Sequence, residues 1–439
     1  MAPRPRWVLH LQATFWRTLM GIGMFLHRLA SPHPPKANFK RRVKSTVSTQ
    51  SGTFDINFYV PRDYETQRRL GFKKVKNGRG YPVVINFHGG GFTLGSPSDD
   101  GRWIGTVVDE CQAVVVSVDY RRAPEHPFPT AVDDGVDAVL YIAENAKELG
   151  VDKDKIALSG FSSGGNMAFT VPLRMYDYLT DFARPMSRGP SRAHLSRTVS
   201  SRDNLLGSMQ SLQTQSAASS STAIGPGPSR LEAAGQYNLS VPYSPTSPVS
   251  PIASGKDAAA VNAIRETTPT VTLCAIVPWY PSLDYTRTRA QRRSTNVRKD
   301  QELPAIFTDL FDESYLHPPD TIPLDSPYLS PGIASDAHLR NALPRDIIMH
   351  TCEWDMLLAE GQDFYKRLVS REVGEKNVVY KMIEGVPHGW DKAPNPVKPT
   401  PGVKAHYLKA CKELRRVFGD ESSQGEILDR RRKSVPVVR

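Results

Sequence analysis

Cysteine is scarce: four residues in 439, Cys111, Cys274, Cys352 and Cys411, widely spaced and mostly inside apolar runs. No CxxC or metal-ligand spacing occurs, which argues against a disulfide framework or a zinc site. The thiols read as reduced core residues and favour a reducing compartment, the cytoplasm or the cytoplasmic face of a membrane. Long apolar runs are missing too. Within the apolar-rich stretch from Trp7 to Leu29 the longest clean run is Leu19–Leu26, against the ~20 residues needed to cross a hydrocarbon core of ~30 Å. Arg17 near its middle would be costly in lipid. Ser31-Pro-His-Pro-Pro35 follows instead of a small-residue cleavage site, so no removable signal peptide is expected. Trp7, Phe15, Trp16 and Phe25 with flanking arginines suit a helix lying in a membrane interface. A cap helix packed over a catalytic site is the alternative for this 1–42 segment.

Hydrophobic residues make up only 39 % and proline is plentiful at 36 residues, which suggests a normal core diluted by polar chain. The diluting part is Ala183 to about Thr268, rich in Ser, Pro, Thr and Gln and nearly devoid of aromatics. It offers too little apolar surface to offset ordering entropy, so 183–268 is expected to be a disordered insertion, and 419–439 a basic disordered tail. Ser244-Pro245, Ser247-Pro248 and Ser250-Pro251 are candidate phosphoacceptors in it, with a neutral spacer as the alternative. Acidic residues are the minority, 45 against 56 basic, for a formal charge of +11. The basic clusters Lys36–Lys44, Arg62–Arg79, Arg287–Lys299 and Arg430–Lys433 carry no interleaved aromatics or reader motif, so no nucleic-acid partner is expected. Anionic membrane surface or solvated loops account for them better.

What remains is patterned. Val43–Gln50 and Thr53–Pro61 read as a hairpin across Ser51-Gly52, and Thr66–Gly80 as a surface loop. From Tyr81 apolar strands alternate with helices: strands at Pro82–Phe87, Ala113–Val118 and Ile156–Ser159, helices at Asp99–Glu110, Thr130–Leu149 and Asn166–Leu179. After the insertion come strands at Val271–Trp279, Asp346–Thr351 and Val378–Ile383, with helices at Leu357–Arg371 and Ala405–Phe418. Such alternation predicts an α/β fold with a mostly parallel sheet covered by helices on both faces. The core then divides into 43–182 and 269–418. Residues 285–343 form an insertion without strand pattern, with an amphipathic helix at Ala305–Tyr315.

Three strand ends carry the chemistry. Gly160-Phe-Ser162-Ser-Gly164 is G-x-S-x-G at a strand-to-helix turn, where flanking glycines allow close approach and the serine is held out at the tip as a candidate nucleophile. His88-Gly-Gly-Gly-Phe92 follows another strand. The backbone N–H groups of Gly89 and Gly90, with that of Ser163, can meet the oxyanion of acyl transfer, and one such donor is worth about 3 kcal/mol. The loop lacks the Lys and Ser/Thr ending of a phosphate-binding P-loop. Late strands end at Asp355 and His388, which gives the order Ser162…Asp355…His388. In that order Asp355 orients His388, and His388 takes and returns the Ser162 proton. Glu353 is the alternative acid at the same strand end. His350 reads as structural, and His88 as fixing the shape of its loop.

His88-Gly-Gly-Gly-Phe92, Asp119-Tyr-Arg-Arg-Ala-Pro-Glu-His-Pro-Phe-Pro129, Gly160-Phe-Ser-Ser-Gly-Gly165, Asp355 and His388-Gly389 together resemble the hormone-sensitive-lipase family of α/β-hydrolases. The resemblance covers about 81–179 and 271–418. It implies an α/β-hydrolase fold, carboxylic ester hydrolysis through an acyl-enzyme, no metal or cofactor, a small-molecule or lipid ester as partner, and a helical cap built from the N-terminal helices and the insertion. Ser163 stands where the family usually has a smaller residue, which matters little because the backbone N–H acts there. Glu360-Gly361 matches the family's run after the acid. The alternatives are an amide hydrolase of the arylacetamide-deacetylase kind, a non-catalytic small-molecule receptor on the same fold, and a membrane-tethered interaction protein.

Overall fold

The computed structural model describes residues 4–183 and 271–419. The Ser/Pro-rich insertion beyond Ala183, with its phosphoacceptor pairs, and the tail beyond Gly419 lie outside the described residues. Eight strands make one sheet: β1 (Phe39–Lys44), β2 (Thr53–Tyr59), β3 (Tyr81–Phe87), β4 (Val114–Asp119), β5 (Val151–Phe161), β6 (Leu273–Trp279), β7 (Asp346–Trp354) and β8 (Asn377–Pro387). Their order is β1-β2-β4-β3-β5-β6-β7-β8. β2 pairs antiparallel with β1 and β4, and every pairing from β4 onward is parallel. The helices are α1 (Arg6–Leu29), α2 (Tyr64–Arg69), α3 (Gly101–Cys111), α4 (Thr130–Glu144), α5 (Ala146–Leu149), α6 (Ser163–Ala183), α7 (Arg289–Thr295), α8 (Ala305–Tyr315), α9 (Asp336–Ala342), α10 (Leu358–Leu368) and α11 (Val403–Val417).

Side-chain alternation along β3 explains why it is apolar throughout. Val83, Ile85 and Phe87 pack on one side with α4 and α6, and Val84 on the other with α3 and α11. Each such side chain, wholly buried, stabilises the fold by about 1.5–3 kcal/mol. Three of the four thiols are buried and all four are free.

Local differences from the sequence reading have identifiable causes. The first strand begins at Phe39 rather than Val43, and no tight hairpin forms. Residues 45–47 leave the sheet because the Asp137 carboxylate accepts from Ser45 Oγ, Thr46 N and Val47 N at 3.2, 2.9 and 3.2 Å. The long helix breaks at Asn145, whose side-chain amide donates to Tyr141 O at 2.8 Å. The expected surface loop 66–80 overlaps α2, anchored by buried Tyr64, which donates to Leu149 O at 2.9 Å. The 285–343 insertion divides. α7 is held to α10 by the buried Arg292–Glu360 pair, α8 buries Tyr315 in a stack on Phe92 with ring centres 3.8 Å apart, and α9 docks on α6, with His338 Nε2 3.2 Å from Leu173 O.

α1 joins α8 above the strand ends. Trp16 and Phe307 meet edge to face at 4.7 Å, and Arg4 Nε donates to Glu313 at 2.9 Å. Arg17 fastens α1 to the core, donating to Thr93 O at 2.8 Å, Ala123 O at 2.7 Å and both Glu125 carboxylate oxygens.

Candidate active site

β5 ends at Phe161 and α6 begins at Ser163, which leaves one residue for the turn. That residue, Ser162, has φ 56°, in the left-handed region disfavoured for side chains. Its own N–H donates to Trp279 O at 2.9 Å, which pins the strained turn to the neighbouring strand. Gly164 is required by the same geometry: a Cβ there would collide with the Phe87 carbonyl.

The structure brings the three predicted side chains together. His388 Nε2 lies 2.8 Å from Ser162 Oγ, and His388 Nδ1 lies 2.7 Å from Asp355 Oδ2. Asp355 is buried and its other oxygen accepts from Leu357 N at 3.0 Å, which fixes the carboxylate plane. Glu353, the alternative acid, instead accepts from Gly385 N at 2.6 Å and braces the end of β8. His350 is stacked on Trp279 with ring centres 3.9 Å apart, and burial pushes its pKa down to about 3, so it stays neutral in the core.

The glycine loop lies against the nucleophile turn. A Cβ built on Gly89 would stand 3.5 Å from Ser162 Cβ and 3.0 Å from Phe161 O, and Gly90 has φ 114°, open only to glycine. Ser163 is buried at the first position of α6, where backbone N–H groups have no intrahelical acceptor. His88 shapes the loop. Its Nδ1 is 2.8 Å from Gly89 O and its ring stacks on Tyr120 at 4.2 Å. Burial, with Arg122 nearby, drives its pKa down to about 3. The Asp119–Pro129 run acts as the buttress. Tyr120 Oη donates to His88 O at 2.9 Å, Arg122 donates to Gly95 O, and Arg121 forms a buried pair with Asp134 at 2.7 Å.

A buried polar chain beneath the site escaped the sequence reading. Trp103 Nε1 donates to Ser159 Oγ (3.1 Å), Ser159 Oγ to Asn86 Oδ1 (2.7 Å), and Asn86 Nδ2 to Asp100 (2.7 Å). Lys392 Nζ then bridges Asp100 at 3.0 Å and Asp391 at 2.7 Å. Asp391 accepts the hydroxyls of Tyr280, at 2.5 Å, and Tyr407. The Tyr280 ring stands edge-on to His388 at 4.9 Å. Burial pushes the Asp100 carboxyl up to about 6 against the pull of Lys392. At Asp391 burial acts in the same direction but is outweighed by Lys392 and the two hydroxyls, which hold it below the usual range. No local signal marks this chain, because its members come from six separated stretches. Glu360, in the run after Asp355, reaches the other way. Its carboxylate accepts from Leu283 N at 2.7 Å and lies 3.1 Å from Arg292 of α7.

A serine, a histidine and an aspartate in one hydrogen-bonded line, beside glycine amides, form an arrangement chemically suited to acyl transfer. A family profile described as alpha/beta hydrolase fold matches residues 84–206 and 256–392. An arylesterase of Saccharolobus solfataricus is 43 % identical over 117 residues, 26 % of this chain and 37 % of the relative. Carboxylesterase 20 of Arabidopsis thaliana is 32 % identical over 165 residues, 36 % of this chain and 48 % of the relative. These matches thus span less than half of each relative's length. The solved hyperthermophilic esterase of Pyrobaculum calidifontis superposes with a TM-score of 0.58 at 22 % identity, covering 95 % of this chain and 99 % of that one, a likeness of fold.

Proposed function

The chain belongs to the hormone-sensitive-lipase-like family of α/β hydrolases, and from that premise we propose that it is a serine carboxylesterase. The observation that carries this reading is the unbroken line from Asp355 through His388 to Ser162 Oγ, at 2.7 and 2.8 Å. Ser162 Oγ attacks an ester carbonyl while His388 Nε2 takes its proton. The carbonyl π pair moves onto oxygen, where the N–H groups of Gly89, Gly90 and Ser163 receive it. Collapse breaks the bond to the alcohol oxygen, which leaves with the proton from His388, and the acyl group stays on Ser162. Water then repeats the sequence, giving up its proton to His388, and the acid departs as Ser162 Oγ is reprotonated. The similarity to an arylesterase and a carboxylesterase supports the substrate class.

A fluorophosphonate probe tests the reading by forming a covalent adduct. Intact-mass analysis is expected to show one adduct per chain, mapped by peptide sequencing to Ser162 and absent from Ser162→Ala. Labelling elsewhere, or none, would contradict it. The same line cleaves activated amides, and comparing p-nitrophenyl acetate with p-nitroacetanilide ranks the two uses.

A further inference from the structure

α1 packs a narrow inner side onto the protein through Leu9, Ala13 and Met24, and turns a second apolar stripe outward. At about 100° per residue, Trp7, Leu11, Phe15, Ile22, Phe25 and Leu29 fall on one stripe about a quarter of the circumference wide. That stripe faces outward: Trp7, Phe15 and Phe25 are 66 %, 58 % and 55 % exposed. Arg17, His27 and Arg28 reach inward beside buried Leu9, Ala13 and Met24 and are held there. Arg17 binds Glu125 and two carbonyls, Arg28 donates to Ser98, and His27 Nδ1 lies 3.0 Å from Ala393 O. With those anchors in place the helix cannot roll its apolar side inward. The surface continues onto α8 through exposed Ile306, next to the Phe307 that packs on Trp16.

Charge indicates what covers this face. Nine Lys or Arg residues precede the first acidic residue of the chain, Asp55, so α1 and its flanks contribute only positive charge, of which Arg4 and Arg17 are paired with Glu313 and Glu125. Arg6, at one end of the stripe, is exposed and donates to the carbonyls of Pro124 and Glu125. Exposed Lys398 follows exposed Val397 in the loop after Ala393, whose carbonyl meets His27 near the other end. No helix among the described residues is long and apolar enough to cross a membrane. We propose that α1 lies flat on an anionic bilayer, with its apolar stripe among the acyl chains and the basic flanks at the headgroups. A flat apolar strip about 36 Å long, for 24 residues at about 1.5 Å each, matches a planar lipid surface. Through Arg17, bonded to Thr93 O just past the glycine loop, the bilayer is then tied to the mouth of the catalytic centre.

Flotation of the full chain with phosphatidylcholine vesicles, with and without phosphatidylserine, tests this, alongside the variant Leu11→Gln/Ile22→Gln/Phe25→Gln. Wild type is expected to float with the phosphatidylserine vesicles and much less with neutral ones. The variant is expected to lose about tenfold or more of the binding. Its hydrolysis of a short soluble ester and its melting profile stay at wild-type level, which shows that it is folded. Ser162→Ala is expected to bind as wild type does, so a failure of the esterase reading leaves this result unaffected. Absence of wild-type binding, or equal binding by the triple variant, would overturn the proposal. So would a wild-type dimer in analytical ultracentrifugation that the triple substitution converts to monomer without any vesicle binding, since the stripe would then belong to a second copy.

Discussion

The Lys392 ammonium sits 3.6 Å from the centre of the ring of Phe161, the residue immediately before Ser162. One buried cation thus contacts the turn that presents Ser162 and lies four residues after His388, in the same loop. Its charge is balanced by Asp100 and Asp391. Removing it leaves two buried carboxylates without their cation, a change that costs about 3–5 kcal/mol. Lys392→Met is therefore expected to lower the urea midpoint markedly. If the midpoint stays put, the chain of polar groups does not brace the site.

The assignment of the acid separates two neighbours. Asp355→Asn leaves His388 without its orienting carboxylate and is expected to lower kcat by about 10⁴-fold. Glu353→Gln keeps an acceptor for Gly385 N and is expected to stay within about threefold in kcat/KM. Steady-state kinetics on p-nitrophenyl butyrate distinguishes them, and equal losses in both variants would contradict the assignment.

The Phe87 carbonyl leaves no room for a side chain at position 164. Gly164→Ala is expected to cost more than about 2 kcal/mol, since backbone on both sides must shift. Loss of soluble protein or a lowered melting temperature checks it. An unaltered melting temperature would mean that the turn is looser than described.

Burial pushes His350 and His88 from 6.5 down to about 3. Between those pH values the unfolded chain binds protons that the folded chain does not. Stability contributed by these rings is therefore complete above about pH 6.5 and falls with pH, by about 1.4 kcal/mol per pH unit for each ring. His350→Phe keeps the stack on Trp279 and removes one titrating group. Its stability, from urea titrations between pH 7 and 4, is expected to decline less steeply than wild type. Parallel declines would refute a neutral buried His350.

Much of this was legible because strand ends are where the chemistry sits. Glycine spacing marked the turns around Ser162 and Gly89, and apolar runs of strand length located β3 through β8. The order Ser162, Asp355, His388 needed no contact information. The chain from Trp103 to Tyr407 was not legible: each member is an ordinary residue in its own segment, and only the closing of the sheet makes them neighbours. The outward apolar side of α1 was hidden for a related reason. A helical period reveals that two faces exist, but the anchors on Arg17 and His27 decide which one faces the protein. β1 shifted because a distant carboxylate, Asp137, captured residues that local propensity assigned to a strand.

The central claim is that Ser162 is the nucleophile of an ester hydrolase, and hydrolysis of p-nitrophenyl esters of graded chain length by wild type and Ser162→Ala tests it most directly. The predicted result is turnover by wild type and a fall of at least about 10³-fold in the variant, with folding unchanged. Equal rates in the two proteins would contradict it.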